Sequence, residues 1–237
     1  LRRGSTLGDT LSSLAGVAAS GFGPNASRPV IRGLDGDRVR LLDNGGASVD
    51  ASNLSFDHAV AQDPLVAERI ELLRGPAALL YGGNATGGVV NSIDNRIPRA
   101  PQPGLAARSE VRLGGAASER SAAVVLDGGQ GGLAWHVDAF GRRSDDLRVP
   151  DHAVPGDDGE GAVFTDRVRN SAARAEGGAA GASWTDTDGH LGLAVDGLRH
   201  RYGVTVEPDV TIRLRRERLQ LGGERRRLPG PFEQLEV

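Results

Sequence analysis

Two patterns of apolar positions divide the chain near Pro98. Before it, apolar residues fall in short clusters of changing period. Leu7, Leu11 and Leu14 recur at helical spacing within Thr6 to Leu14, which predicts a short amphipathic helix capped by Ser5 or Thr6 and stopped near Gly16. Val30-Ile31 and Val39 to Leu42 predict strands around the turn Leu34-Asp35-Gly36-Asp37. Asn44 to Phe56 is polar and reads as a loop, and Asp63-Pro64 opens a predicted short helix, PLVAERI. Arg69 to Leu73 suits a half-buried strand. Pro76 heads a short helix, Ala77 to Leu80, and Val89, Val90 and Ile93 mark a further strand. The preceding Gly87-Gly88 permits close approach to a neighbour. These short mixed elements predict an α+β unit over residues 1–98, with a Pro-containing linker over 99–104.

From Leu105 the period becomes two. Leu133, Trp135, Val137 and Ala139 share one face, and His136 and Asp138 the other. Leu191, Leu193 and Val195 oppose Ala194 and Asp196, and Val210, Ile212 and Leu214 oppose Thr211, Arg213 and Arg215. Strands are predicted near 106–116, 119–129, 132–146, 170–185, 188–201, 209–222 and 231–237. Tight connections alternate with a long, acidic, Gly-rich one, Leu147 to Val168, although Ala117-Ser118 and Gly203 to Pro208 are short as well. A soluble sandwich alternates too, with its apolar face inward. The polar connections favour antiparallel strands of a transmembrane β-barrel over residues 105–237. Barrels that hold a folded domain have about 22 strands and these residues supply about seven, so the expected barrel is partial and unclosed, within a longer protein. The alternative architecture is a small soluble domain followed by a compact β-domain.

Composition narrows the classes. The chain has 237 residues, 35 of them Gly, with a formal net charge of -3, which gives no overall bias toward nucleic acid. Every basic residue other than His is Arg. With no Cys, a disulfide framework and a thiolate metal site are excluded. The chain shows no signal peptide and opens at Leu1 without a Met, so an N-terminus that is not the native start is expected.

The residues LLRGPAALLYG followed by GGVVN, and upstream VIRGLDGDRVRLLDNG (Val30 to Gly45), resemble the plug domain of TonB-dependent outer-membrane receptors. FGPNASRPVIRGLDGDRVR (Phe22 to Arg40), LSFDHAV (Leu54 to Val60) and VVNSIDNRIP (Val89 to Pro98) are most similar to the zinc-uptake members. The resemblance implies a plug followed by the first barrel strands, in the outer membrane of a Gram-negative bacterium. It implies capture of an extracellular ligand and its release to the periplasm when the plug is displaced. The implied partners are a TonB-type energy-coupling protein of the inner membrane, outer-membrane lipid, and a metal ion or metal chelate, with no nucleic acid. No cofactor is required, and zinc is the implied cargo. An iron siderophore, haem, or a non-transporting surface binding module are the alternatives.

Candidate chemistry is sparse. Asp57-His58 pairs two ordinary zinc ligand types in a loop, although an exposed Asp-His pair needs no metal. The resemblance implies a metal-ligand role for both, on the extracellular side of the plug. His152, with Asp157, Asp158 and Glu160, could gather a divalent cation weakly, but the spacing matches no EF-hand and a solvated loop is the plainer reading. His136, His190 and His200 read as lumen or interfacial residues. The resemblance implies that Arg32 and Arg74, of the IRG and LRGP motifs, seat the plug against the barrel wall; an Arg there can pair bidentately with a carboxylate. No enzyme is expected: Gly82 to Gly88 lacks a P-loop ending, and no Gly-x-Ser-x-Gly elbow occurs.

Overall fold

A computed structural model describes residues 4–21, 23–48, 51–155, 161–228 and 234–236. The N-terminal unit opens with α1 (Leu7–Leu11), shorter than the predicted run to Leu14. The Thr6 hydroxyl caps it by accepting from the Asp9 amide at 3.1 Å. Then come β1 (Val17–Ala19) and β2 (Pro29–Ile31), a small antiparallel pair. A four-stranded sheet follows, built from β3 (Val39–Asp43), β4 (Gly46–Ala47), β5 (Arg69–Leu73) and β6 (Gly88–Ile93) in the order β4-β3-β6-β5. β3 and β6 are parallel and the outer pairs antiparallel. Leu7, Leu11, Ile31, Leu41 and Val90 form the core between helix and sheet. Each such full burial is worth about 1.5–3 kcal/mol. The predicted close approach occurs at Gly88, with φ of +143°, where a Cβ would lie 2.7 Å from the Leu73 carbonyl oxygen.

Three local expectations change. The short helix does begin at Pro76, but it is a 3-10 turn and runs on to Tyr81. β4 lies inside the stretch expected to be loop, because Ala47 pairs with Leu42. PLVAERI forms no helix. The Asp63 carboxylate accepts from the Leu65 amide at 2.9 Å, closing a turn. Leu65 and Val66, consecutive in sequence, are then both buried against Phe140 and Leu198. A helix would point them about 100° apart.

The second half is an antiparallel meander. It runs through β7 (Gly104–Gly114), β8 (Glu119–Gln130) and β9 (Leu133–Ser144), and leaves the sheet for the hairpin β10 (Arg148–Pro155) and β11 (Ala162–Arg167). It returns as β12 (Ala173–Thr185), β13 (Gly189–Val204), β14 (Glu207–Arg226) and β15 (Gln234–Glu236). The sheet order is β15-β14-β13-β12-β9-β8-β7, open at β7 and β15 among the described residues. The expected long connection is therefore itself largely strand: His152 pairs with Thr165 and Val154 with Val163.

The sheet's two faces differ in kind. His136, Asp138, Ala194 and Asp196 are buried beneath the N-terminal unit. Val137, Trp184, Leu193 and Leu219 point away from it and are exposed. A soluble sandwich would bury that apolar face; here it is the free one, as lipid requires. Along β14 the alternation reverses, because Ile212 and Leu214 pack inward while Arg213 and Arg215 face out. No helix among the described residues is long and apolar enough to cross a membrane.

Candidate functional site

The N-terminal unit is seated on the sheet by a buried charge network. Arg96 follows β6 and is 6% exposed. Its Nε donates to Asp138 Oδ2 at 2.9 Å, and its Nη1 lies 3.4 Å from Asp196 Oδ1. Asp196 also receives Arg216 Nη2 and Arg218 Nε, each at 2.7 Å. Arg218 Nη1 returns to the N-terminal unit at Asp43 Oδ2, 2.6 Å away. Beside this, His136 spans Asp127 at 2.7 Å and Asp138 at 3.1 Å. Asn95 Nδ2 donates to the same Asp127 at 2.8 Å. Desolvating so many charges offsets their attraction, so the network fixes orientation more than it adds stability. Losing one partner, however, strands a buried charge.

Two further contacts complete the seat. Arg142 bonds the Asp63 carboxylate and the Ser5 carbonyl. Burial pushes the Asp63 carboxyl above its ordinary value, outweighing the opposing pull of Arg142. Burial does the same at Asp43, against Arg218. At Arg96 burial works against the charge, but Asp94 and Asp138 hold its pKa above the usual guanidinium value. The strand wall accommodates the chain here because it is bare. A Cβ on Gly181 would lie 1.9 Å from the Arg96 carbonyl oxygen, and one on Gly192 2.9 Å from Ile97 Cγ2.

The Asp57-His58 loop sits toward the other end of β13. Tyr202, 2% exposed, points its hydroxyl at the loop, accepting from the Ala59 amide at 2.7 Å and donating to the Asp57 carbonyl at 3.1 Å. Arg28 braces the segment before it, bonding the Ser52 carbonyl and Asn53 Oδ1. His58 Nδ1 lies 2.9 Å from Asp57 Oδ1, and the Ser55 hydroxyl donates to the same oxygen. That hydroxyl bond, with the smaller contribution of His58, holds the Asp57 carboxyl below the usual range. The tautomer that donates from Nδ1 to Asp57 would leave the Nε2 lone pair for a metal. Both side chains are partly exposed, at 27% and 34%.

The structure thus brings Asp57 and His58 together. Among the described residues no group of three or more His, Cys, Asp or Glu could hold a metal ion. His152 is half-buried on β10, its Nδ1 3.3 Å from the Pro150 carbonyl oxygen. Asp157, Asp158 and Glu160 lie outside the described residues. Arg74 Nη1 donates to the Ala15 carbonyl at 2.7 Å, inside the N-terminal unit, and the Arg32 amide donates to the Gly16 carbonyl. Among the described residues neither Arg forms an ion pair with the sheet; Arg96, Arg142 and Arg218 make those ion pairs, and Arg216 Nη1 donates to the Ala61 carbonyl. Sequence reasoning missed this seat. Its one signal was Asp127, Asp138 and Asp196 on the inward face of membrane strands, where a carboxylate needs a partner.

Residues 2–89 match the family model described as TonB-dependent Receptor Plug Domain. A "Hemin receptor" of Yersinia pestis is 38% identical over 87 residues, 36% of this chain and 12% of that protein. "Ferric enterobactin receptor PirA" of Pseudomonas aeruginosa is 30% identical over 130 residues, 45% of this chain and 18% of that one. The solved structure of "Copper transporter OprC" superposes with a TM-score of 0.77 at 20% identity, covering 99% of this chain and 34% of its own. The chain thus spans under a fifth of the length of the two curated relatives. The N-terminal unit is a plug of the TonB-dependent type, lying on part of a barrel wall in the outer membrane of a Gram-negative bacterium.

Proposed function

From that plug as premise, we propose that the chain belongs to an importer that captures a metal ion or metal chelate outside the cell and passes it to the periplasm. One observation carries the reading. A folded plug is seated on the inner face of a lipid-facing sheet, and its Asp57-His58 loop lies at the end of the strands that carries the long β9–β12 connection. A TonB-type protein of the inner membrane supplies the pull. The seat suits this role, since its hydrogen-bonded charges can exchange partners with water as the plug shifts, which an apolar seat cannot do.

Zinc is the cargo that the Asp-His pair favours. Two donors half fill a tetrahedral shell, so the others come from extracellular loops or from the cargo's own chelator. A second reading, haem or a ferric chelate, is favoured by Leu54 and Phe56, exposed beside the pair at 86% and 54%, and by the names of the two curated relatives. Calorimetry of the full receptor in detergent, titrated with zinc against iron and nickel and with haem followed by absorbance, separates the two. Zinc-selective binding lost in His58→Ala supports the first. Haem binding lost in the same variant supports the second. Binding of either that ignores both Asp57 and His58 removes the loop from the mechanism.

A further inference from the structure

Five arginines stand in one register row across the outward face of the sheet. Arg120 faces Arg143, Arg143 faces Arg174, Arg174 faces Arg201, and Arg201 faces Arg213, one on each of β8, β9, β12, β13 and β14. Neighbouring strands lie about 4.8 Å apart, so the row extends roughly 19 Å. All five side chains are exposed. Directly opposed like charges destabilise a sheet, so the row is expensive in isolation. Of the five, Arg174 alone makes an ion pair among the described residues, with Glu176 at 3.0 Å. In the adjacent row Arg199 faces Arg215 on one side and Glu176 on the other, and Arg215 pairs with Glu217, so the uncompensated charge is concentrated in the row of five.

The height of the row is specific. From Leu133 to Arg143 the outward positions of β9 read Leu133, Trp135, Val137, Ala139, Gly141, Arg143. Ten residues at about 3.4 Å, tilted by 35–45°, rise roughly 24–28 Å, close to the height of about 25 Å of an outer-membrane apolar band. Arg143 therefore stands at the upper rim of that band. The same end of the sheet carries the β9–β12 connection with its β10–β11 hairpin, while Gln130–Leu133 and Thr185–Gly189 at the other end are tight turns. Long connections mark the extracellular side, so the row meets the headgroups of the outer leaflet.

We propose that this arginine row is a docking surface for the phosphate groups of the outer leaflet's phosphorylated glycolipid. A guanidinium takes a phosphate bidentately, and a planar row spaced at strand separation presents several forks to one diphosphorylated headgroup. The lipid's acyl chains then lie on Val137, Val195 and Leu219 beneath, so one molecule satisfies both the charged row and the apolar band. The anion also relieves the like-charge repulsion along the row.

The test uses the full protein, stripped of bound lipid in detergent and offered diphosphorylated lipid A or its dephosphorylated form, with retained lipid counted by native mass spectrometry. The unaltered protein is expected to prefer the diphosphorylated lipid by about tenfold or more, and excess inorganic phosphate is expected not to release it. The variant Arg143→Gln/Arg174→Gln/Arg201→Gln/Arg213→Gln is expected to lose the preference while its barrel still shows heat-dependent gel mobility. Should that variant fail to insert, the Lys equivalents keep charge without the fork and are expected to bind with a reduced but present preference. Equal retention of both lipids by the unaltered protein, an unchanged preference in an inserted Gln variant, or release by inorganic phosphate overturns the proposal. So does capture of an acidic protein on the row without any lipid preference.

Discussion

Asp57 and Asp63 lie six residues apart and lead opposite lives. Asp57 belongs to the Asp57-His58 loop, partly exposed, its carboxyl held low by the Ser55 hydroxyl. Asp63 belongs to the plug's seat, buried against Arg142, its carboxyl pushed up by that burial. The loop leaves its polar groups partly exposed and is braced from behind by Tyr202 and Arg28. The seat hides its polar groups from everything but each other. On the proposed function one region binds and the other holds, and the same residue types serve both because burial sets what a carboxylate does.

The largest test of this contrast is Asp196→Ala. Asp196 gathers Arg96, Arg216 and Arg218, and its side chain is 2% exposed. Its loss leaves buried guanidiniums short of a counter-charge, at a cost of about 3–5 kcal/mol. The urea midpoint for plug release, read by protease sensitivity of the plug, is expected to fall accordingly. A midpoint equal to the parent's would mean that the network is solvated and does not seat the plug.

Gly181→Ala probes the same seat by shape. Its Cβ would lie 1.9 Å from the Arg96 carbonyl oxygen, backbone that can shift only by lifting the plug. A cost of about 1–3 kcal/mol is expected. Gly141→Ala is the matched control, with nothing within 4 Å of its Cβ, and should stay within about 0.5 kcal/mol. Equal effects would break the idea that the bare wall is there to receive the plug.

How much of this was legible in the sequence follows the same division. The alternation of β9 and β13 was readable because a lipid-facing strand repeats every two residues over its whole length. The Asp57-His58 pair was readable because its residues are adjacent. The seat was not, since Arg96 finds Asp138 across 42 residues and Arg218 finds Asp43 across 175. Arg32 and Arg74 carried motif positions, yet their bonds close the plug on itself. PLVAERI reads as a helix from its Asp63-Pro64 start, but there the Asp63 carboxylate closes a turn that buries Leu65 and Val66 together. The upper part of β14 misled in the same way: Ile212 and Leu214 read as an apolar face for lipid, and the plug claims them instead.

Tyr202→Phe brings the test to the loop. The ring stays and the hydroxyl goes, leaving the buried Ala59 amide without its 2.7 Å partner. An unmet buried donor costs about 1–3 kcal/mol. Unlike Asp196→Ala, the loss is confined to the loop: faster hydrogen exchange at Ala59 and weaker cargo binding are expected, with plug release little changed. Exchange at Ala59 matching the parent's would show that the loop is held by something other than Tyr202.

The smallest effect separates the two carboxylates by pH. Both unfold to an ordinary Asp value near 3.9. Asp63 is raised in the folded state, so its contribution is full below that value and is lost as pH rises through its folded pKa. Asp57 is lowered, so its contribution is full above that value and is lost as pH falls through its folded pKa. Melting each protein against its own Asn variant isolates the two. The parent's stability minus that of Asp63→Asn should fall as pH climbs above about 4, and the parent's minus that of Asp57→Asn should fall as pH drops below it. Slopes of the same sign would mean that loop and seat share one environment, and the division between binding and holding would fall with them.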